Sequence, residues 1–262
     1  MRAFVLTGPG RSEVQDVAPP VAGPDQVVVD VERVGVCGTD VEFFTGEMQY
    51  LHDGHARFPM RLGHEWSGTV SAVGYGVDAR WLGRRVTGDT MLGCRACRRC
   101  LSGNQHVCEH RFEVGIRGGF AGALAEQLAV PVTSLHELPL GVDEVLGALV
   151  EPGGSALRSV QRAALKTGDR ALVLGPGTIG LLAGLFAKAQ GAEVHVMGKT
   201  QRSLNFARTL GFHGVWAADE LPALPFDAVI DASNAPTLPA KALELVEPAK
   251  WVVYVGLAAA PA

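Results

Sequence analysis

No apolar run in the sequence approaches the roughly 18 residues that a membrane-spanning helix needs. The opening residues, MRAFVLTGPG, pass straight into a strand-like segment with no apolar signal-peptide core, so the protein is expected in the cytoplasm and off the membrane. An excess of positive charge is also lacking: 23 Lys and Arg stand against 27 Asp and Glu, a formal net charge of -4. Without a basic field, no nucleic acid or anionic membrane is expected as a partner, and a small soluble substrate is favoured. Nor do the cysteines make a disulfide framework. There are five in 262 residues, and four of them lie between positions 94 and 108. In a reducing compartment that clustering points to metal. Internal repeats are absent, and the terminal LAAAPA is the one low-complexity segment. What is present is an ordinary globular composition, 47% hydrophobic and 19% charged, in a chain long enough for two domains with modest cores.

Short β-like runs broken by glycine fill the first half: Ala3 to Leu6, Gln26 to Val36, Ser67 to Val73, Arg85 to Gly88 and Glu126 to Val130. Apolar residues alternate over much of QVVVDVERVGV, and the set predicts an irregular β-barrel-like domain. Around Asp143 the spacing turns helical, with Val145, Leu146 and Leu149, then Ala156, Leu157, Val160 and Ala164, on recurring faces. From Arg170 on, strands and helices alternate: ALVLG, Thr178 to Gln190, EVHVM, Arg202 to Leu210, GVWAA, FDAVIDAS, Leu238 to Val246 and KWVVYVGL. Apolar strands separated by helices of this length predict a parallel α/β sheet.

Cys94, Cys97, Cys100 and Cys108 have the spacing C-x2-C-x2-C-x7-C, which lets four thiolates converge on one Zn²⁺ while the backbone wraps around it. The surrounding GCRACRRCLSGNQHVC has too few large apolar residues for these to be core cysteines. An iron-sulfur cluster uses four cysteines as well. A zinc knuckle for nucleic acid would also share the chemistry, but Arg95, Arg98 and Arg99 read more simply as a solvated face of an excursion within a larger domain.

Cys37 is left alone in GVCGTD, and His64 with Glu65 follows in LGHEWSG. An open catalytic zinc takes about three protein ligands and keeps a position for water or substrate, and mixed Cys, His and carboxylate sets suit Zn²⁺. Cys37, His64 and one glutamate would supply them. Taken alone, His64 is more often a satisfied structural histidine and Cys37 a buried apolar residue.

In this order, GVCGTD, GHEWSG with Val70, Gly74 and Gly76 downstream, the four-cysteine segment, LVEPGGSAL and GPGTIG resemble the zinc-containing medium-chain dehydrogenases, in the branch of polyol, threonine and glucose dehydrogenases. The resemblance runs over essentially the whole chain. It implies an α/β fold in which a GroES-like β-barrel catalytic domain, 1–152, with a structural zinc lobe at 93–109, precedes a Rossmann doubly wound parallel sheet, 153–262. Cys37 and His64 match the catalytic zinc ligands, and Glu65 matches the glutamate beside that histidine, a ligand or its close neighbour. Glu151, in LVEPGG, matches the position that provides a carboxylate ligand in the polyol and glucose branch. Thr39 matches the hydroxyl that bonds the substrate oxygen and begins a proton relay, and Asp40 an orienting group. Two zincs per chain and oxidation of a polyol, sugar or amino-alcohol hydroxyl by hydride transfer follow. One departure stands out: many relatives carry a histidine shortly after the Thr-Asp pair, where this chain reads TDVEFFTGE, with Glu42 in that neighbourhood. His52 or His55 would substitute only if their loop folds inward.

Gly175, Gly177 and Gly180 form G-x-G-x-x-G, with Thr178 and Ile179 inside it, directly after ALVL and before a helical stretch. Glycine there permits the tight turn and close approach of a dinucleotide pyrophosphate to a helix N-terminus. The second strand should end on an acidic residue if the ribose of NAD is to be bound. Gly198 stands there instead, followed by Lys199, Thr200 and Arg202, which suit a 2′-phosphate, so NADP is expected over NAD. Lysine is a weaker pointer than arginine here, and both cations also fit the exposed start of a helix.

Family members continue beyond KWVVYVGL through another crossover, a last sheet strand and a return into the catalytic domain. On that pattern Lys250 to Leu257 would be an exposed edge, apolar on both faces, and the chain is expected to be part of a longer polypeptide, a dimer or tetramer when full-length. Two other readings share the fold: a zinc-free quinone reductase, which would need neither Cys37, His64 nor the cysteine lobe, and a non-catalytic product that binds nucleotide and zinc.

Overall fold

The computed structural model describes residues 1–256, so Leu257 and the LAAAPA tail lie outside the described residues. The chain divides into two compact units, Met1–Glu151 and Pro152 onward. Among the described residues, no helix is long and apolar enough to cross a membrane.

The first unit opens with an antiparallel hairpin, β1 (Arg2–Gly8) and β2 (Arg11–Asp16). It continues through β3 (Gln26–Gly35), helices α1 (Gly38–Thr45) and α2 (Gln49–His52), then β4 (Glu65–Val73) and β5 (Arg85–Gly88). β6 (Met91–Leu92) and β7 (Phe112–Glu113) pair as a short two-stranded neck, and the cysteine excursion between them contains α3 (Arg98–Leu101). β8 (Gln127–Pro131), β9 (Leu135–Glu137) and α4 (Glu144–Ala148) follow. The main sheet has the order β8-β3-β4-β5-β9, antiparallel throughout. The alternation of Val27 and Val29 in β3 sends both side chains into one core, where they meet Trp66, Val70, Val86, Leu128 and Val130. α4 starts where its cap says it should: Asp143 Oδ1 accepts from Leu146 N at 2.8 Å.

α5 (Val150–Ala163) leads into the second unit, which is built from β10 (Arg170–Leu174), α6 (Thr178–Ala189), β11 (Glu193–Gly198), α7 (Gln201–Thr209), β12 (Gly214–Ala217), β13 (Phe226–Asp231), α8 (Leu238–Leu245) and β14 (Val246–Tyr254). Its sheet is parallel, in the order β12-β11-β10-β13-β14. Val173, Val194, Val196 and Ile230 face a layer with Ala156, Val160 and Ala163 of α5 and Ala183 and Ala187 of α6. Leu172, Leu174 and Val229 face the opposite layer with Ala242 of α8. The central strands β10 and β13 are buried on both sides and read as near-continuous apolar runs, as the sequence led us to expect.

β14 pairs only with β13 among the described residues and forms that edge of the sheet. It begins at Val246, earlier than the sequence pattern suggests, with a register shift between Phe226 and Ala228 and with Ala249 at φ 61°. The edge carries charge as well as apolar surface: Lys250 Nζ stands 2.6 Å from Asp227 Oδ1.

Candidate functional site

β3 and β4 are neighbours, and Gly35 lies opposite Glu65 in their register. Two residues beyond Gly35, Cys37 caps α1, and His64 immediately precedes β4, so the two strand ends deliver both side chains to one place. Donor atoms of Cys37, His64 and Glu65 all lie within 4.8 Å of one another. Gly35 makes room for this: a Cβ there would stand 2.1 Å from Glu65 Oε2. Asp40 joins the two segments. Its Oδ2 accepts from Cys37 N at 2.9 Å, and its Oδ1 accepts from Gly63 N at 3.4 Å and stands 3.6 Å from His64 Nδ1. Thr39 lies in the first turn of α1, next to the Cys37 cap, whose side chain accepts from the Asp40 backbone N–H.

Glu151, in the first turn of α5, is not within the 4.8 Å group. It accepts from the Thr90 hydroxyl at 3.1 Å, and that hydroxyl also stands 3.3 Å from the His64 carbonyl oxygen. Thr90 is a member of the site that the sequence reading did not single out. Glu42 and His52 are exposed. His55 is exposed too, its ring edge-on to Tyr50 at 5.6 Å between centroids and beside Arg117, so it does not take the place of the relatives' histidine.

The electrostatics favour a cation. Burial pushes the Cys37 thiol above its ordinary value. Burial, followed by repulsion from Asp40, does the same to Glu65. Burial again raises Glu151, against the opposing pull of His64 and Thr90. Acids gathered in a water-poor site resist ionising together until a cation joins them. His64 Nδ1 is buried without a hydrogen-bond partner, which marks a ring whose surroundings are incomplete as protein alone. One thiol, one imidazole and one carboxylate fit Zn²⁺.

In the lobe, the four sulfurs are also grouped within 4.8 Å. Cys94 Sγ and Cys100 Sγ are 3.9 Å apart, and Cys97 Sγ and Cys108 Sγ 3.8 Å. Backbone N–H groups aim at them: Cys94 Sγ accepts from Cys97 N at 3.4 Å, and Cys108 Sγ from Cys94 N at 3.5 Å. Bonds from Ala96 and Cys97 hold the Cys94 thiol down to about 6. Of the lobe's arginines, Arg99 is engaged internally, with Glu109 at 3.0 Å and the Val107 carbonyl at 2.7 Å. Just past the lobe, Arg111 forms a clasp that no local pattern announces. Its guanidinium donates to the Cys108 carbonyl (3.1 Å), to Glu113 and to the Tyr50 hydroxyl (3.1 Å), while Arg117 lies over the Tyr50 ring.

In the second unit, Gly175 follows β10 with φ 94°, and a Cβ on Gly180 would lie 2.0 Å from Gly175 O. Gly177 differs: it caps α6 without a side-chain hydrogen bond, and no described atom lies within 4 Å of where its Cβ would be. Packing therefore demands the first and third glycines, whereas the second keeps the helix N-terminus open to an anion. Thr178 and Ile179 begin that helix. At the end of β11, a Cβ on Gly198 would stand 2.5 Å from Pro176 Cγ, so Pro176 fills the place an acidic side chain would need. Thr200 caps α7 by accepting from Ser203 N, and the exposed Lys199 and Arg202 flank it without ion pairs among the described residues. Asp231, missed in the sequence, accepts from Ser233 N and Oγ and shapes the turn against Gly175.

Comparison with known proteins bears on the family and the fold. Residues 23–140 match the alcohol dehydrogenase GroES-like domain family. The chain is 39% identical over 196 residues to a 2-dehydro-3-deoxy-L-galactonate 5-dehydrogenase of Pseudoalteromonas atlantica, covering 75% of this chain and 55% of that protein. It is 32% identical to a sorbitol dehydrogenase of Halalkalibacterium halodurans, covering 100% of this chain and 78% of that one. A zinc-binding dehydrogenase from Sinorhizobium meliloti, solved with NADP, superposes with a TM-score of 0.90 at 29% identity, covering 98% of this chain and 77% of that one. The chain belongs to the zinc-type medium-chain alcohol dehydrogenase family.

Proposed function

We propose that this chain carries the catalytic and nucleotide-binding parts of a zinc-dependent, NAD(P)-linked dehydrogenase that oxidises a hydroxyl of a polyol, sugar or amino alcohol. The convergence of Cys37, His64 and Glu65 carries the proposal. These three would hold the catalytic zinc, with Glu151 as the alternative carboxylate, and Cys94, Cys97, Cys100 and Cys108 a second, structural zinc. When bound, zinc supplies a Lewis acid that lowers the pKa of an alcohol, and the nicotinamide supplies a hydride acceptor.

The protein's own part is positional. Asp40 fixes Cys37 and the His64 segment from behind, as carboxylates commonly orient metal-binding histidines. Thr39 takes the alcohol's proton through its hydroxyl and passes it outward without changing charge. Gly177 admits the pyrophosphate to the start of α6, while Lys199 and Arg202 receive the 2′-phosphate, so NADP is preferred. The sorbitol and sugar-acid dehydrogenases among the relatives support a hydroxyl-rich substrate. A cytoplasmic location and a homo-oligomeric assembly complete the reading.

Metal counting by native mass spectrometry tests it. Two zincs per chain are expected in the wild type and one in Cys37→Ala, with loss of turnover on a panel of polyols, aldoses and threonine. Retention of two zincs and of turnover in Cys37→Ala would sink the assignment.

A further inference from the structure

Away from the residues assigned to zinc and nucleotide, the first unit contains a cavity of about 270 Å³, just below the usual size of pockets for drug-sized ligands and enough for a small one. The β1–β2 hairpin contributes Val5 and Gln15, the residue after it Val17, and the stretch before His64 contributes Arg57, Met60 and Arg61. Phe120 closes another side. None of Cys37, Thr39, His64, Glu65 or Glu151 lines it, and its lining contains no acidic side chain.

Arg61 is the unusual member. It is half-buried, and burial lowers its guanidinium below the ordinary value with no carboxylate to offset the cost. Of the other partly buried arginines, Arg111 is paired with Glu113 and Arg170 with Glu193, Arg85 donates to the Val142 carbonyl with Glu32 at 4.0 Å, and Arg117 lies over the Tyr50 ring beside His55. Among the described residues Arg61 makes no ion pair, and neither does Arg57, exposed at the same cavity. A guanidinium taken partly out of water without a counter-charge is destabilising unless something supplies one. Its planar fork matches a carboxylate bidentately. The remaining wall is apolar apart from Gln15, which suits a hydrocarbon chain better than the other oxygens of a phosphate.

We propose that this cavity is a binding site for a small amphipathic carboxylate, with Arg61 as its anion partner, Arg57 adding charge at the mouth, and Val5, Val17, Met60 and Phe120 receiving the apolar part. The site is independent of the metal centre, so the proposal stands apart from the dehydrogenase reading.

Isothermal titration of the purified protein with hexanoate tests it. One hexanoate per chain is expected. Arg61→Gln should weaken it at least tenfold, Arg61→Lys should weaken it less, and Cys37→Ala should leave it unchanged. Absence of binding at millimolar hexanoate, or equal binding by Arg61→Gln, overturns the proposal. So does loss in Cys37→Ala with retention in Arg61→Gln, since the carboxylate would then sit at the metal. Thermal melting covers the case of a poorly folded variant. Arg61→Met should melt no lower than the wild type without hexanoate and gain nothing from it, whereas a lower melting temperature would mean that the guanidinium is satisfied inside the protein.

Discussion

Replacing Gly198 by aspartate, the residue type that binds the ribose of NAD in related nucleotide folds, should fail in this chain unless Pro176 is changed with it. The new Cβ would stand 2.5 Å from Pro176 Cγ, 2.7 Å from Pro176 Cδ and 3.1 Å from Leu204 Cδ2. A proline ring cannot swing aside, so the contact costs about 1–3 kcal/mol of overpacking. Gly198→Asp alone is therefore expected to melt lower and to bind NADH and NADPH both more weakly. In Pro176→Ala/Gly198→Asp the ring is gone. The carboxylate can then accept from the 2′-hydroxyl and repel a 2′-phosphate. A hydrogen bond to a charged group contributes about 1.5–3 kcal/mol, so the preference should move toward NADH by roughly tenfold or more. Fluorescence titration with the two reduced nucleotides reads this without turnover. Lys199→Ala/Arg202→Ala, run alongside, should weaken NADPH and leave NADH nearly unchanged. The reasoning is refuted if the wild type binds NADH more tightly than NADPH, or if Gly198→Asp alone reverses the preference with no loss of stability.

Three further outcomes follow from the geometry. In metal-free protein at pH 7, iodoacetamide should alkylate Cys94, held down to about 6, well before Cys100, pushed up to about 12 chiefly by burial, and peptide mass spectrometry would show the order. Glu193 is held down to about 2 by Arg170 and then His195, so its folded-state value lies below the unfolded one. The stability lost in Glu193→Gln should accordingly be constant above about pH 4.5 and shrink as the pH falls toward 2; a difference that instead grows in acid has the wrong sign. Arg111→Ala leaves the buried Glu113 carboxylate without its guanidinium and should cost about 3 kcal/mol in urea unfolding, whereas a loss under about 0.5 kcal/mol would show the clasp to be inert.

Legibility in the sequence followed the range of the interaction. β10 and β13 were readable because both faces are buried, so ALVL and DAVI carry their environment in their own composition. The cysteine lobe was readable because its four donors sit within fifteen residues and share one chemistry. β2, RSEVQD, was not: it is largely exposed and polar, and it is a strand only because β1 offers it a partner. Tyr50, Arg111 and Glu113 were not readable either, since 61 residues separate Tyr50 from Arg111 and no period links them. The helical spacing around Asp143 was seen, but not that Thr90 would connect Glu151 to the His64 backbone.

Glycine shows most clearly why residue type alone underdetermines a site. Gly35, Gly177 and Gly198 are the same letter, and each stands where the family pattern or a nucleotide motif draws attention. At Gly35 the missing side chain is replaced by the Glu65 carboxylate, and at Gly198 by the Pro176 ring. Only at Gly177 does no described atom fill the space. The first sets a carboxylate beside Cys37 and His64, and the second fills the place where an acidic side chain would stand. Packing explains both glycines without a ligand. Gly177 is the position that packing leaves unexplained, at the amide-rich start of α6 where an anion is stabilised. A side chain there is therefore expected to act on nucleotide binding while leaving the fold intact, the opposite of its effect at Gly180, where the Cβ meets a carbonyl oxygen at 2.0 Å.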